Sequence, residues 1–181
     1  MPDRLYFTED DAANELIARD PLALLVGFAL DQQVTVQKAF AGPRVLQQRL
    51  GKFDAATLAS TDLEPAFREK PAVHRFPGNM AKRVRELAAV VEEEYGGDAS
   101  RLWRDAKDGA DLRKRISDLP GFGEMKIKAL SAVLAKRFDV ATAKEIAPNH
   151  PTLGDVDSAK ALEEYQAKKR AYKRSLREST T

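Results

Sequence analysis

One stretch does most to limit what this chain can become. "PLALLVGFAL", Pro21 to Leu30, is apolar on every side of any helix it forms. Asp20 is a good N-cap and Pro21 suits the first helical position, so the segment reads as a helix. A helix without a polar face has to be surrounded. The rest of the chain must therefore supply layers of structure around it.

Those layers also read as helices. "FTEDDAANELIARD" offers Thr8 as an N-cap, with acids in the first turn where the helix dipole favours them. "VTVQKAFAGPRVLQQRLG" continues helical after a break at Thr35 and stops at Gly51. Short helices are expected from Asp54 and from Thr61. "MAKRVRELAAVVEEEYGG" is amphipathic, with Val84, Leu87, Val90 and Val91 at helical spacing and Gly96-Gly97 as its end. "ADLRKRISDLPGFGEMKIKALSAVLAKRF" gives two helices joined through Leu119–Gly123. "IAPNHPTLGD" reads as loop, and a long polar helix follows with Asp157 or Ser158 as cap. No strand-like alternation persists and no repeat stands out. The fold class expected is all-α.

The 181 residues suit one domain or two small lobes sharing a core. A composition 43% hydrophobic and 32% charged is that of a globular protein. No apolar run approaches the ~18 residues that span a bilayer, and "MPDRLYFTEDD" lacks the pattern of a secretory signal. No membrane role and a cytoplasmic location are expected. There is no cysteine, which removes thiol nucleophiles, cysteine-held zinc and any cysteine-held iron–sulfur cluster. The two histidines, His74 and His150, lie far apart in sequence, so no side-chain metal site is expected.

The net charge of +2 is small, but it is unevenly spread. Between Leu112 and Arg137, Arg113, Lys114, Arg115, Lys126, Lys128, Lys136 and Arg137 face only Asp118 and Glu124. Between Lys160 and Arg177, Lys160, Lys168, Lys169, Arg170, Lys173, Arg174 and Arg177 face only Glu163 and Glu164. A basic C-terminal half on a more acidic N-terminal half fits a polyanion partner.

The turn Leu119-Pro120-Gly121-Phe122-Gly123 sits inside the first basic run. Proline fixes one φ angle, and the glycines allow crowded backbone geometry with no Cβ to block a ligand. The helix that follows starts with free N–H groups at its positive end, a site for a phosphate oxygen. Lys126 and Lys128 stand just inside that helix to support the anion, and Phe122 is expected to turn back and staple the two helices.

"LPGFG" followed by "KIKAL" resembles the helix-hairpin-helix DNA-binding element. "DPLALLVGFALDQQVT" and "FPGNMAKRVRELAAVVEEEYGG" precede it in the order of the helix-hairpin-helix base-excision DNA glycosylase superfamily. The resemblance covers roughly residues 20 to 140. It implies a single unit of two helical lobes. The central lobe would be residues 28–118 with the hairpin at 110–137, and residues 1–27 and 138–181 would form the second. It also implies a monomer, associated with the nucleoid if bacterial, that binds duplex DNA between the lobes. A monovalent cation on the backbone of Leu119 and Gly121 is a further implication.

Members flip the target nucleotide out of the duplex, and strand-cutting members use a lysine early in the second hairpin helix. Aligned through Gly123, that position falls on Met125, with Lys126 one place along and ~100° around the helix. The resemblance therefore implies a monofunctional glycosylase without lyase activity. The family's Val-Asp-Thr carboxylate is matched by Val156-Asp157-Ser158, 34 residues beyond Gly123 and later than the family pattern. Asp157 is the candidate that stabilises the sugar cation, with Asp155 as runner-up, and an N-cap role as the plainer alternative. Gln32 and Gln33 occupy the turn whose polar residue fills the space of a flipped base; Gln33 matches best. Asp31 is a pocket or solvent residue. His74, Arg75 and Asn79 read individually as surface residues, Phe76 and Trp103 as core or stacking aromatics, and Lys82 and Arg83 as phosphate contacts. The alternatives to an enzyme are a non-catalytic DNA-binding protein on the same scaffold and a helical adaptor.

Overall fold

The computed structural model describes residues 2–180, and among them it contains eleven α-helices, one 3₁₀ turn and no strand. In chain order the helices are α1 (Asp11–Arg19), α2 (Pro21–Leu30), α3 (Val36–Leu50), α4 (Ala55–Ser60), α5 (Glu64–Arg68) and α6 (Pro77–Tyr95). There follow α7 (Arg101–Arg104), α8 (Gly109–Ser117), α9 (Glu124–Arg137) and α10 (Ala141–Lys144). The 3₁₀ turn Leu153–Asp155 then leads to α11 (Ala159–Ser179). The chain is all-α.

The apolar segment is indeed the centre. Every residue of α2 from Leu22 to Leu30 is buried, and α1, α3 and α6 pack around it. Gly27 is needed there because the ring of Phe40 on α3 lies against it: a methyl on Gly27 would meet Phe40 Cδ1 at 2.4 Å. Phe40 in turn meets Phe7 and Phe28 edge-on, with centroids 4.9 and 5.0 Å apart, the offset geometry that aromatic quadrupoles favour. One continuous hydrophobic cluster runs from Leu5 to Leu162. α2 passes without a break through the junction expected between residues 27 and 28.

Several starts and stops follow the sequence chemistry. Asp20 caps α2, Thr35 caps α3, Asp54 caps α4, and Gly51 and Gly96 end α3 and α6 in the left-handed conformation. Others differ. α1 is capped by Asp10 rather than Thr8, because the side chain of Asn14 folds back to take the N–H groups of Phe7 and Thr8 and the carbonyl of Thr8. Thr61 ends α4 instead of starting the next helix, which begins at Glu64 behind Pro65. Ser158, not Asp157, caps α11, its hydroxyl accepting from the N–H of Ala161 at 3.0 Å.

The segment read as loop before α11 is tightly seated. Gly154 lies on the backbone of α9, where a methyl would come within 2.5 Å of the Ala132 carbonyl oxygen. Thr152 and Asp155 form a reciprocal capping box around the 3₁₀ turn. α9, with Leu130 to Ala135 all buried, is thereby enclosed by α8, α10 and this turn. The first two turns of α11 dock through Leu162 and Tyr165, and Gln166 pairs with Gln37 on α3 by two hydrogen bonds of 2.9 and 2.8 Å.

Candidate nucleic-acid interface

The hairpin is formed by α8, the turn 118–123 and α9. Leu119 and Phe122 are buried in the hydrophobic core. Gly121 has φ +78°, a left-handed conformation that costs an L side chain roughly 1–2 kcal/mol. Gly123 is different. Its φ is −84°, and a methyl added there would touch nothing within 4 Å. No contact inside the protein asks for glycine at 123. The N–H groups of Gly123, Glu124 and Met125 have no hydrogen-bond partner among the described residues, and no side chain caps α9. Three outward amides at a helix N-terminus, reached over a residue without Cβ, can accept an anionic oxygen. Pro120 is half-buried beside this edge and Lys128 is exposed on it. Met125 is 79% exposed.

Much of the positive charge counted in the sequence around the hairpin is already engaged. Arg113 pairs with Glu124 across the turn, Lys114 with Asp118, Arg115 with Asp111, and Lys136 with Asp155. Arg83, read as a phosphate contact, packs against Gly121. That guanidinium puts a fixed positive charge on the hairpin, and Leu119 O already accepts from Phe122 N–H at 3.2 Å.

Lys126 does not stand out from the hairpin helix to support an anion, as its place in the sequence suggested. Its side chain turns inward, where Nζ donates to Ala29 O at 3.1 Å and Gln32 Oε1 at 3.0 Å. Burial, aided by the Arg83 guanidinium and opposed by Asp31, pulls its ammonium down to about 8. His74, read as surface, is 1% exposed. Its Nδ1 accepts from the N–H of Phe76, so Nε2 carries the proton and is shared between Leu30 O and Gln32 O, each at 3.0 Å. Burial holds the imidazole below its ordinary value.

The physical reason for this cluster is the end of α2. A wholly buried helix leaves its last carbonyls without partners, and here Lys126 and His74 supply donors from remote segments. Asp31 lies at the same end, half-buried. Burial raises its carboxyl against the pull of Lys169 on α11 and of Lys126. Asp31, Gln32, His74 and Lys126 thus gather in one polar group where the end of α2 meets the hairpin helix and the segment before α6. The sequence hinted at it only in "DQQ", polar residues directly behind an apolar helix. Nothing local announced a lysine 94 residues away.

The other candidates scatter. Gln33 is exposed with φ +57°, while the side chain of Gln32 is held by Lys126. Asp155 is tied down, accepting from Lys136 Nζ through both oxygens at 2.8 Å and from Thr152 N–H at 2.8 Å. Asp157 is exposed and makes no hydrogen bond or ion pair among the described residues. Trp103 is core, Phe76 is 37% exposed under the guanidinium of Arg75, and Asn79 and Lys82 are exposed on α6.

Two open hollows of about 300 Å³ each lie away from the polar group. One is lined by Tyr95, Arg101, Arg115 and neighbouring acids, the other by Arg170, Lys173, Arg174 and Arg177. Among the described residues there is no cluster of three or more histidine, aspartate or glutamate side chains placed to hold a metal, and no helix is long and apolar enough to cross a membrane. No protein-family model, curated protein or solved structure matches the chain.

Proposed function

We propose that this protein binds duplex DNA through the hairpin and hydrolyses the N-glycosidic bond of a damaged or mispaired base. The observation that carries the binding is the unpartnered amide group at Gly123, Glu124 and Met125, left open by a glycine that packing does not require. Glu124 stands at this edge, but Arg113 neutralises it. The excision step draws on the second, independent feature: a half-buried carboxylate, Asp31, beside a half-buried lysine of depressed pKa. Perturbed ionisable groups of this kind gather at functional sites. A carboxylate near the flipped nucleotide stabilises positive charge developing on the sugar, and Asp31 joins Asp157 as the residue to test for that role. With methionine at 125 and Lys126 bonded to Ala29 and Gln32, the reaction is hydrolysis without strand cutting.

A specific observation favours a second reading, a DNA-binding protein with no excision activity. Asp155 is consumed by its capping box and Lys136, and Asp157 faces solvent with no partner. An excision screen on duplexes carrying uracil, oxidised purines, alkylated purines and mismatches separates the two. Release of a base, lost in Asp31→Asn or Asp157→Asn with DNA affinity retained, supports the glycosylase and names its carboxylate. Tight binding with no release from any duplex supports the second reading. No binding to duplex DNA under low salt sinks both.

A further inference from the structure

Among the described residues, thirteen ion pairs involve basic residues from Arg4 to Lys144, and none involves a basic residue of α11. Beyond Gln166 the helix leaves the body: residues 167–180 are all exposed. Arg170, Lys173, Arg174 and Arg177 recur at the 0, 3, 4, 7 spacing that puts side chains on one face of a helix, and together they line one surface hollow. None of the four has an ion pair or side-chain hydrogen bond among the described residues. The stripe rises about 10 Å along the axis, roughly three phosphate-to-phosphate spacings along one DNA strand.

We infer that the outer half of α11 is a second DNA-binding element, an arm that lies along the phosphate backbone through Arg170, Lys173, Arg174 and Arg177. The inference rests on duplex DNA being the partner, and adds a contact that the hairpin does not provide. The root of the arm supports it. Lys169, just before the stripe, sits 5.8 Å from the ring of Tyr165 and acts on Asp31. Gln166 is fixed to α3. The arm therefore leaves the body near Asp31, in the polar group to which Lys126 of the hairpin helix belongs. Tyr172 and Leu176, 65% and 48% exposed, continue the docking line of Leu162 and Tyr165. Two such side chains are too little for a stable pairing of copies, and a symmetric pair would bring eight unpaired cations together. A polyanion is the occupant that the charge selects.

The test is a salt titration of binding to a fluorescent duplex, by anisotropy, for the wild type, the fourfold variant R170Q/K173Q/R174Q/R177Q and Gly123→Ala. Glutamine keeps helix propensity near that of lysine and arginine, and the docking residues are untouched, so thermal unfolding should not move. The fourfold variant should lower the slope of log K against log salt by about 3 to 4. Its disadvantage against wild type should change by roughly a hundredfold between about 50 and about 200 mM salt. Gly123→Ala should weaken binding while leaving most of the slope. An unchanged slope in the fourfold variant overturns the arm, and leaves the hairpin reading standing if Gly123→Ala has lost affinity. A wild type that binds no duplex overturns both. Two further outcomes reassign the surface when the DNA slope is unchanged. Binding to phosphatidylserine but not phosphatidylcholine vesicles, lost in the fourfold variant, points to a membrane. A concentration-dependent dimer lost in Y172S/L176S points to a second copy.

Discussion

Arg83 on α6 lays its guanidinium so close to Gly121 that a methyl on the glycine would meet Nη1 at 1.8 Å. A side chain of α6 thus reaches the hairpin turn, and the two glycines of the turn have different duties. Gly121 is held by its left-handed backbone, whereas Gly123 caps α9 with no packing contact that requires glycine.

Gly121→Ala should therefore destabilise the fold by about 1–2 kcal/mol, the cost of a left-handed alanine, with Arg83 displaced. Gly123→Ala should move urea unfolding by less than about 1 kcal/mol, since its backbone angles suit alanine while the N-cap position it holds favours glycine. Its DNA affinity should nonetheless fall. Full affinity in Gly123→Ala would remove the hairpin as a phosphate site.

Lys126 gives a pH dependence of known sign. Its folded pKa, about 8, lies below the ordinary 10.5, so between these values the unfolded chain holds the proton and the folded one releases it. Stability then rises with pH. The contribution is present above about 10.5 and lost as pH falls through about 8. Denaturation of wild type and Lys126→Met should show wild type gaining relative to the variant from pH 8 to pH 10. A constant difference would mean that the ammonium is solvated.

His74 behaves likewise at lower pH. Its folded pKa lies below 6.5 because burial disfavours the cation, so its contribution is present above 6.5 and is lost as pH falls through the folded value. The wild type should lose stability on acidification relative to His74→Gln. His74→Phe, which leaves the Phe76 N–H and two carbonyls short of partners, should cost about 1–3 kcal/mol at neutral pH. A neutral effect there would place water in the imidazole's role.

Asp155 tests capping against chemistry. Burial pushes its carboxyl up, but the bonds from Lys136 and the Thr152 N–H outweigh it and hold the group below the ordinary carboxylate value. Asp155→Ala should cost about 1–2 kcal/mol through the lost cap, read as a drop of some 2–8 °C in Tm, with DNA binding intact. Loss of excision at unchanged stability would instead make Asp155 a reacting group.

Local chemistry carried a good deal of this architecture. The absence of a polar face on Pro21–Leu30 alone required a central buried helix, and Asp20, Thr35, Asp54, Gly51 and Gly96 set helix ends through their own side chains or φ angles. The hairpin, too, was legible, because Gly121, Phe122 and Gly123 act within a few residues of each other. Caps failed where a distant or competing group intervened, as Asn14 did at Thr8.

The polar group was decided elsewhere. Lys126 and His74 look like solvated residues in their own segments, and only the buried C-terminus of α2, with carbonyls that water cannot reach, draws them inward. The charge of residues 112–137 is likewise basic on paper and largely neutral in space, since Arg113, Lys114, Arg115 and Lys136 each find a carboxylate. The last helix reverses the case: it leaves the core after Gln166, and Arg170, Lys173, Arg174 and Arg177 form no ion pair among the described residues. Spacing along a chain determines helices and turns; which charges are cancelled depends on the groups that packing brings within a few ångströms, and this the sequence alone does not state.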